Sequence, residues 1–326
     1  MRKRTLLISA TLAAGLLATG ISTARAEPDD TLIRMIVGFP PGQAVDLIAR
    51  VLADQLGHEL NKTIVVENKP GQGGSLALGL VARAPADGTV ITLSSLAAFA
   101  INPVLYKSAV SYDALKDFAP IGLVADIPTV LVTGAQSGIT SFPDLLSKAR
   151  ASPGSLTHSS SGNGTVSHLG MVQLKRRAGV DIVHVPYKGS APAMTDVVAG
   201  RVQVGLDSVA ATKPLVEGKR LVVLAAASPD RLPSFPNVPT LQELGFPGLV
   251  VSAWTALAVP AATPTDVRAH LSSALHKVVS SPEFAAKLAP LGVIPRPSSA
   301  EEFGAFLRSE VTRWQAVVAE SGLKVE

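Results

Sequence analysis

Two short stretches carry most of the chemistry open to this chain. In Val37-Gly38-Phe39-Pro40-Pro41-Gly42-Gln43-Ala44-Val45-Asp46 an apolar run stops at Pro-Pro-Gly, and a helical pattern begins within two or three residues. Ser160-Ser161-Gly162-Asn163-Gly164-Thr165-Val166-Ser167-His168 makes the same step after a second apolar segment. A strand-to-helix turn this tight leaves the first helical N–H groups without intrahelical partners, and the helix dipole makes that end partly positive. Proline and glycine keep side chains out of the way. The matching chemistry is capture of an anion by backbone amides and small hydroxyls, not by salt bridges.

The elements around these stretches read as alternating strands and helices. Residues 32–39 form a strand, 44–60 a helix, 63–67 a strand, 75–84 a helix and 89–93 a strand. Two further strands are expected near 120–126 and 128–134, then a helix with Ser141 as N-cap. The order strand, Gly loop, helix, strand, Gly loop, helix, strand over 32–93 recurs over 155–206. Gly42 and Gly71 lie 29 residues apart in the first unit, and Gly164 and Gly189 lie 25 apart in the second. Residue identities do not match, so the similarity is architectural. A long strand at 249–260 and helices near 264–279, 282–290 and 299–320 follow. This predicts an α/β protein with mostly parallel sheets in two lobes. Residues 121–133 and 249–260 are the expected crossing strands of a hinge. In open α/β sheets, ligands bind outside the carboxyl ends of the strands.

Composition narrows the partners. With 326 residues and 47% hydrophobic content, the chain can bury one or two sizeable cores. Residues 1–26 have a basic start, a short apolar run and Ala24-Arg25-Ala26, a small-x-small site, so a signal peptide cleaved after Ala26 is expected. That segment holds Arg2, Lys3, Arg4 and Arg25 and no acid. Its removal takes the 29 basic residues to 25, against 25 acidic ones, and the net charge of +4 vanishes. Nucleic acid then has no electrostatic claim on the protein. Zero cysteines exclude disulfides, thiolate metal sites and an N-terminal lipid anchor. The periplasm, or the space outside the cell, is the expected location.

Several candidate residues have more than one reading. Asp46 either complements the helix dipole or orders the preceding loop. Ser161, Asn163, Gly164 and Thr165 form a turn and N-cap, or a binding loop matching residues 40–44. Ser94 and Ser95 end a strand and could donate hydroxyl hydrogen bonds. Tyr187-Lys188-Gly189 is a solvated turn or lies beside the ligand. Asp207 ends a strand. Trp254 reads as core.

Taken together, Val37–Arg50, "VVENKPGQGGSLALG", "AINPVLY", "SSGNGTVSHL", "GVDIVHVPYKGSAPAMTDVVAGRVQVGLD" and "PNVPTLQELGFPG" resemble the Bug-type extracytoplasmic receptors of tripartite tricarboxylate transporters, in order from about residue 30 to the end. The resemblance implies a two-lobed periplasmic-binding-protein fold of type II-like form. Residues 27–126 and 250–326 would form one lobe and 127–249 the other. It implies a monomeric receptor, without catalysis, cofactor or metal, that captures a small carboxylate and hands it to a membrane permease. The first ligand loop would comprise Phe39, Pro41, Gly42, Gln43 and Ala44, with Asp207 reading the ligand's distal end. Gln43 stands where such receptors usually have glycine. Ala98-Phe99 stands where Thr-His is common, which would suit a ligand with an apolar part.

Other classes fit less well. The stretch 73–77 departs from a nucleophile elbow at Ala77. The stretch 162–167 fails the dinucleotide pattern. The six histidines show no metal-ligand spacing in the chain. A periplasmic adaptor that reports a ligand to a sensor kinase is the alternative reading.

Overall fold

In the computed structural model, residues 32–321 are described; the expected signal peptide and its cleavage site lie outside them. Strand β1 (Leu32–Val37) enters helix α1 (Ala44–Leu60) through the Pro-Pro-Gly turn, and β2 (Thr63–Asn68) follows. A 3₁₀ turn (Gln72–Gly74) opens the short helix α2 (Ser75–Val81). Strand β3 (Val90–Ser95) runs into a π turn (Ala97–Ile101) and α3 (Asn102–Leu105). These strands are parallel, in the order β2-β1-β3.

The next strand differs from expectation. Where two strands were expected, a single 17-residue strand β4 (Phe118–Gly134) runs through both. Pro128 suggests a break in sequence because proline cannot donate to a ladder. Here it sits where β4 changes partner. Residues up to Pro128 pair with β9 (Ser252–Pro260), and residues from Thr129 pair with β7 (Val204–Ser208) and β8 (Leu221–Ala226).

After α4 (Phe142–Ala151), capped by Ser141 as expected, comes the second unit. Its strands are β5 (Thr157–Ser160), β6 (Val183–Pro186) and β7 (Val204–Ser208). Between them lie α5 (Val166–Ala178) and α6 (Ser190–Val198), and α7 (Val209–Glu217) and β8 (Leu221–Ala226) follow. Strands β5, β6 and β7 are parallel to one another. Past β9, the chain ends in α8 (Thr265–Val279), α9 (Pro282–Leu288), β10 (Ile294–Pro295) and α10 (Ala300–Ser321). The sheet is therefore mixed: parallel in each outer group of strands and antiparallel where β3, β4, β7, β8 and β9 meet.

One apolar core runs under both groups of strands, from Leu78 and Phe99 to Leu145, Leu169 and Leu206. Trp254 is a core residue, as its position in an apolar strand suggested. Its indole and that of Trp314 both donate to Glu310, at 2.9 and 3.2 Å, which satisfies two polar groups deep in the interior. Among the described residues, no helix is long and apolar enough to cross a membrane.

Candidate ligand-binding site

The strand register sets the geometry of the site. Ser95, at the carboxyl end of β3, pairs with Thr255 of β9, and Thr255 pairs with Ala125 of β4. Ser208, at the carboxyl end of β7, pairs with Thr129 of β4. The two parallel groups run in opposite directions, so their carboxyl ends meet over residues 125–129 of one strand. Four residues of extended chain span about 13 Å. Loops from both groups also touch: a Cβ on Gly164 would fall 2.0 Å from Cδ2 of Leu105, beyond β3.

The first loop is held by Asp46. This carboxylate is only 1% exposed. It accepts from the Gly42 amide at 2.8 Å, from Arg50 Nε at 3.0 Å and from Asn68 Nδ2 at 2.8 Å. Asn68 also donates to the Phe39 carbonyl. Burial pushes the Asp46 carboxyl up, but the hydrogen bonds from Arg50, Asn68 and Gly42 together outweigh it and hold it below the usual carboxylate range. Asp46 therefore orders the loop, and both of its oxygens are occupied. Pro41, Gly42 and Gln43 are exposed, Phe39 and Ala44 half-buried. Gly42 has φ of +84°, a conformation open to glycine at no steric cost. Gln43 is the N-cap of α1 but its side chain makes no capping bond, so the amides of Ala44, Val45 and Asp46 open the helix without side-chain capping.

The second loop repeats the device. The Gly164 amide donates to Nδ1 of His168, 3.2 Å away and four residues on, as Gly42 does to Asp46. The amides of Gly42 and Gly164 are thus both spent within their own loops. Thr165 caps α5, which starts three residues earlier than its apolar pattern suggests. Its hydroxyl also donates to the Gly162 carbonyl at 2.7 Å. The Ser161 amide donates to Ser167 Oγ at 3.0 Å. Asn163 is exposed.

The remaining candidates divide. Ser94 Oγ, Ser95 Oγ, Ser159 Oγ and Asp207 Oδ2 are buried without a hydrogen-bond partner. Asp207 is 4% exposed; its Oδ1 accepts from Ser190 Oγ at 2.8 Å and from the Ser208 amide at 2.7 Å. Burial pushes its carboxyl up, against those hydrogen bonds. Tyr187 uses its hydroxyl on Asp196, at 2.6 Å; burial and that acceptor raise its pKa to about 12. Lys188 is exposed.

Phe99 corrects a further expectation. It is fully buried, 6.1 Å from the Trp254 ring and packed edge-on against Phe118 and Phe303, so its apolar character serves the core and not a ligand. Two features were missed in sequence. Asn102 donates to the Gln72 carbonyl and to Ser75 Oγ, fastening the 71–75 loop behind Phe39. Gly38 and Gly74 meet so closely that a Cβ on Gly38 would lie 2.4 Å from Gly74 Cα. Both lie within stretches quoted for the resemblance, but only the fold shows what they touch. Two surface concavities, one lined by Arg50, His58 and Lys62 and one by Arg150, Lys175 and Asp181, lie apart from these loops.

Comparison with known proteins places the chain among periplasmic receptors. The family model described as tripartite tricarboxylate transporter family receptor matches residues 48–323. The R. palustris protein Rpa4515, solved with adipate, is 31% identical, with a TM-score of 0.82 over 91% of this chain and 99% of that one. The periplasmic binding protein BugD is 30% identical, with a TM-score of 0.78 over 90% of this chain and 98% of that one. MatC (Rpa3494) from Rhodopseudomonas palustris, solved with bound malate, is 29% identical, with a TM-score of 0.76 over 88% and 98%. The fold is that of the periplasmic binding proteins, and the chain belongs to the tripartite tricarboxylate transporter family of receptors.

Proposed function

We propose that this receptor captures a small organic dicarboxylate between two lobes, residues 27–126 with 250–326 and residues 127–249, and delivers it to the membrane permease of a tripartite transporter. The observation that carries the reading is the meeting of two sets of strand ends over residues 125–129 of β4, each with a helix start beside it. One ligand carboxylate lies between the first-turn amides of α1 and the Val166 and Ser167 amides of α5, with the hydroxyls of Ser161 and Thr165 near it. Ser94, Ser95 and Asp207 face the rest of the ligand. In its ionised form Asp207 takes a donor, such as a hydroxyl, an ammonium or a protonated acid, because its free oxygen is buried and a carboxylate oxygen only accepts. The adipate and malate complexes of the two R. palustris relatives support the dicarboxylate class. Export to the periplasm with cleavage after Ala26, action as a monomer, and the lack of catalysis, cofactor and metal belong to the same proposal.

Calorimetric titration with adipate, malate and benzoate, with glucose and putrescine as controls, tests it. A bound carboxylate at 100 times its Kd adds about 2.7 kcal/mol to stability, visible as a thermal shift. Binding of the sugar or the diamine alone would overturn the assignment.

A further inference from the structure

Three of the histidines that look scattered in sequence are stacked in space. The rings of His168 (α5) and His184 (β6) lie 3.8 Å apart between centroids and 11° from parallel. His184 lies 4.8 Å from His158 (β5), at 20°. The column fills the space between α5 and the strands directly behind the Ser161–Thr165 loop. It is tied to that loop twice. His168 Nδ1 accepts the Gly164 amide. His184 Nε2 lies 2.7 Å from Ser160 Oγ, which accepts the Gly162 amide at 3.2 Å.

A metal site does not explain the stack. Rings packed face to face do not converge their nitrogens, and among the described residues no group of three such side chains could hold a metal ion. Nor does an ion pair. The charged and titratable groups that act on the rings are the other histidines, on β5, β6 and α5, and Lys175 on α5, whose own nearby acid is Asp181 at 3.7 Å. Burial and the positive neighbours all favour neutral rings: His158 is pushed down to about 3, His168 to about 4, and His184 below its usual value. A neutral ring is what the loop requires, since Nδ1 accepts an amide hydrogen only while it carries no proton.

We propose that His168 is a positioning residue of the ligand loop: it fixes the backbone of Ser161–Thr165 by accepting the Gly164 amide, and the neutral imidazole stack behind it makes the shape of that loop depend on the protonation of His168. Asp46 does the same service for the first loop as an anion, so one of the two loops is held by a carboxylate kept below its usual range and the other by a group that acid converts from acceptor to donor. The loop geometry stands independently of the ligand; the consequence for affinity rests on the carboxylate reading.

Two variants and two readouts test this. His168→Asn offers an amide oxygen at a reach similar to Nδ1 and does not titrate; His168→Leu offers no acceptor. In ¹H–¹⁵N spectra of the ligand-free protein, the Gly164 amide of the unmodified chain is expected to shift with the same midpoint as the His168 ring, well below pH 6.5. In His168→Asn it shifts with no such midpoint. Its exchange with solvent at pH 7 is expected to be at least about tenfold faster in His168→Leu and near normal in His168→Asn. Titration with adipate at pH 7 is then expected to show at least about tenfold weaker binding in His168→Leu and a change under about threefold in His168→Asn. A Gly164 amide that ignores both the His168 titration and the leucine substitution would overturn the proposal. If His168→Leu does not fold, the comparison of the unmodified chain with His168→Asn still decides it. If adipate fails to bind the unmodified protein, the assignment of adipate fails, and the amide measurements decide the loop by themselves.

Discussion

Asp207 accepts the Ser190 hydroxyl with one carboxylate oxygen and leaves the other buried without a partner. A buried, half-satisfied carboxylate costs stability and is retained where a ligand completes it. Asp207→Asn keeps an acceptor for Ser190 and Ser208 and removes the charge. It is expected to raise the melting temperature, or leave it unchanged, while weakening the bound carboxylate at least about tenfold. Equal affinity in the variant would take Asp207 out of the site.

Asp46 is a different case, because its loss undoes the loop it holds. Asp46→Ala leaves the Gly42 amide, Asn68 Nδ2 and Arg50 without their shared acceptor. A cost of about 2–4 kcal/mol in denaturant unfolding is expected, together with loss of binding. Arg50→Ala removes only the exposed partner and is expected to cost less than about 1 kcal/mol. Comparable losses in the two variants would contradict the central role of the buried carboxylate.

The histidine stack sets a pH window for stability. Rings held neutral in the fold bind protons less readily than in the unfolded chain, where the midpoint is near 6.5. The unfolded state therefore takes up more protons as pH falls, and stability drops with it. The contribution is complete above about pH 6.5 and is lost as pH falls toward 4 and 3, the folded values of His168 and His158. Replacing His158 by phenylalanine should flatten the slope of melting temperature against pH in that range. An unchanged slope would show that other groups set it.

Glu310 joins two tryptophans that are the only two in the chain. Glu310→Ala strands two buried indole N–H groups, and a loss of about 2–4 kcal/mol is expected, with a change in tryptophan emission. Glu310→Gln keeps an acceptor and should cost less. Emission unchanged in both would argue against this buried arrangement.

Leu105 and Gly164 meet across the two groups of strands, and opening of the cleft would part them. If residues 121–133 and 249–260 act as a hinge, small-angle scattering of the ligand-free protein should give a larger radius of gyration than the adipate complex. An identical profile with binding confirmed would remove the hinge from the mechanism.

Local pattern made the alternating elements legible. Apolar residues at helical and strand spacing, the Ser141 cap and the recurrence of Gly loops need no tertiary information, because they report on backbone preferences within a few residues. The pairing of the two Gly loops was also readable, and it aligned Gly42 with Gly164 and Asp46 with His168. Three things were not. Pro128 looked like the first residue of a second strand, yet β4 runs through it, because the missing donor falls where the strand exchanges one partner for another. Phe99 looked like a ligand-facing substitution, yet it lies in an aromatic cluster assembled from four separate segments. His158, His168 and His184 looked scattered, since 10 and 16 residues separate them in the chain, yet parallel register sets His158 opposite His184 and α5 lays His168 on top.

The sequence by itself determined which backbone turns could receive an anion, since proline, glycine and helix starts act through local geometry. Only the tertiary structure decided which amides remain to do so. Gly42 and Gly164 spend theirs on side chains four residues ahead and His168 spends its amide on the Thr165 hydroxyl, so the donors we propose for an anion are the opening amides of α1 and those of Val166 and Ser167 in α5. A hydrogen bond can be counted only when donor and acceptor have both been brought to their places, and long-range register did that here: it brought the carboxyl ends of β3 and β7 to the same few residues of β4 from opposite directions.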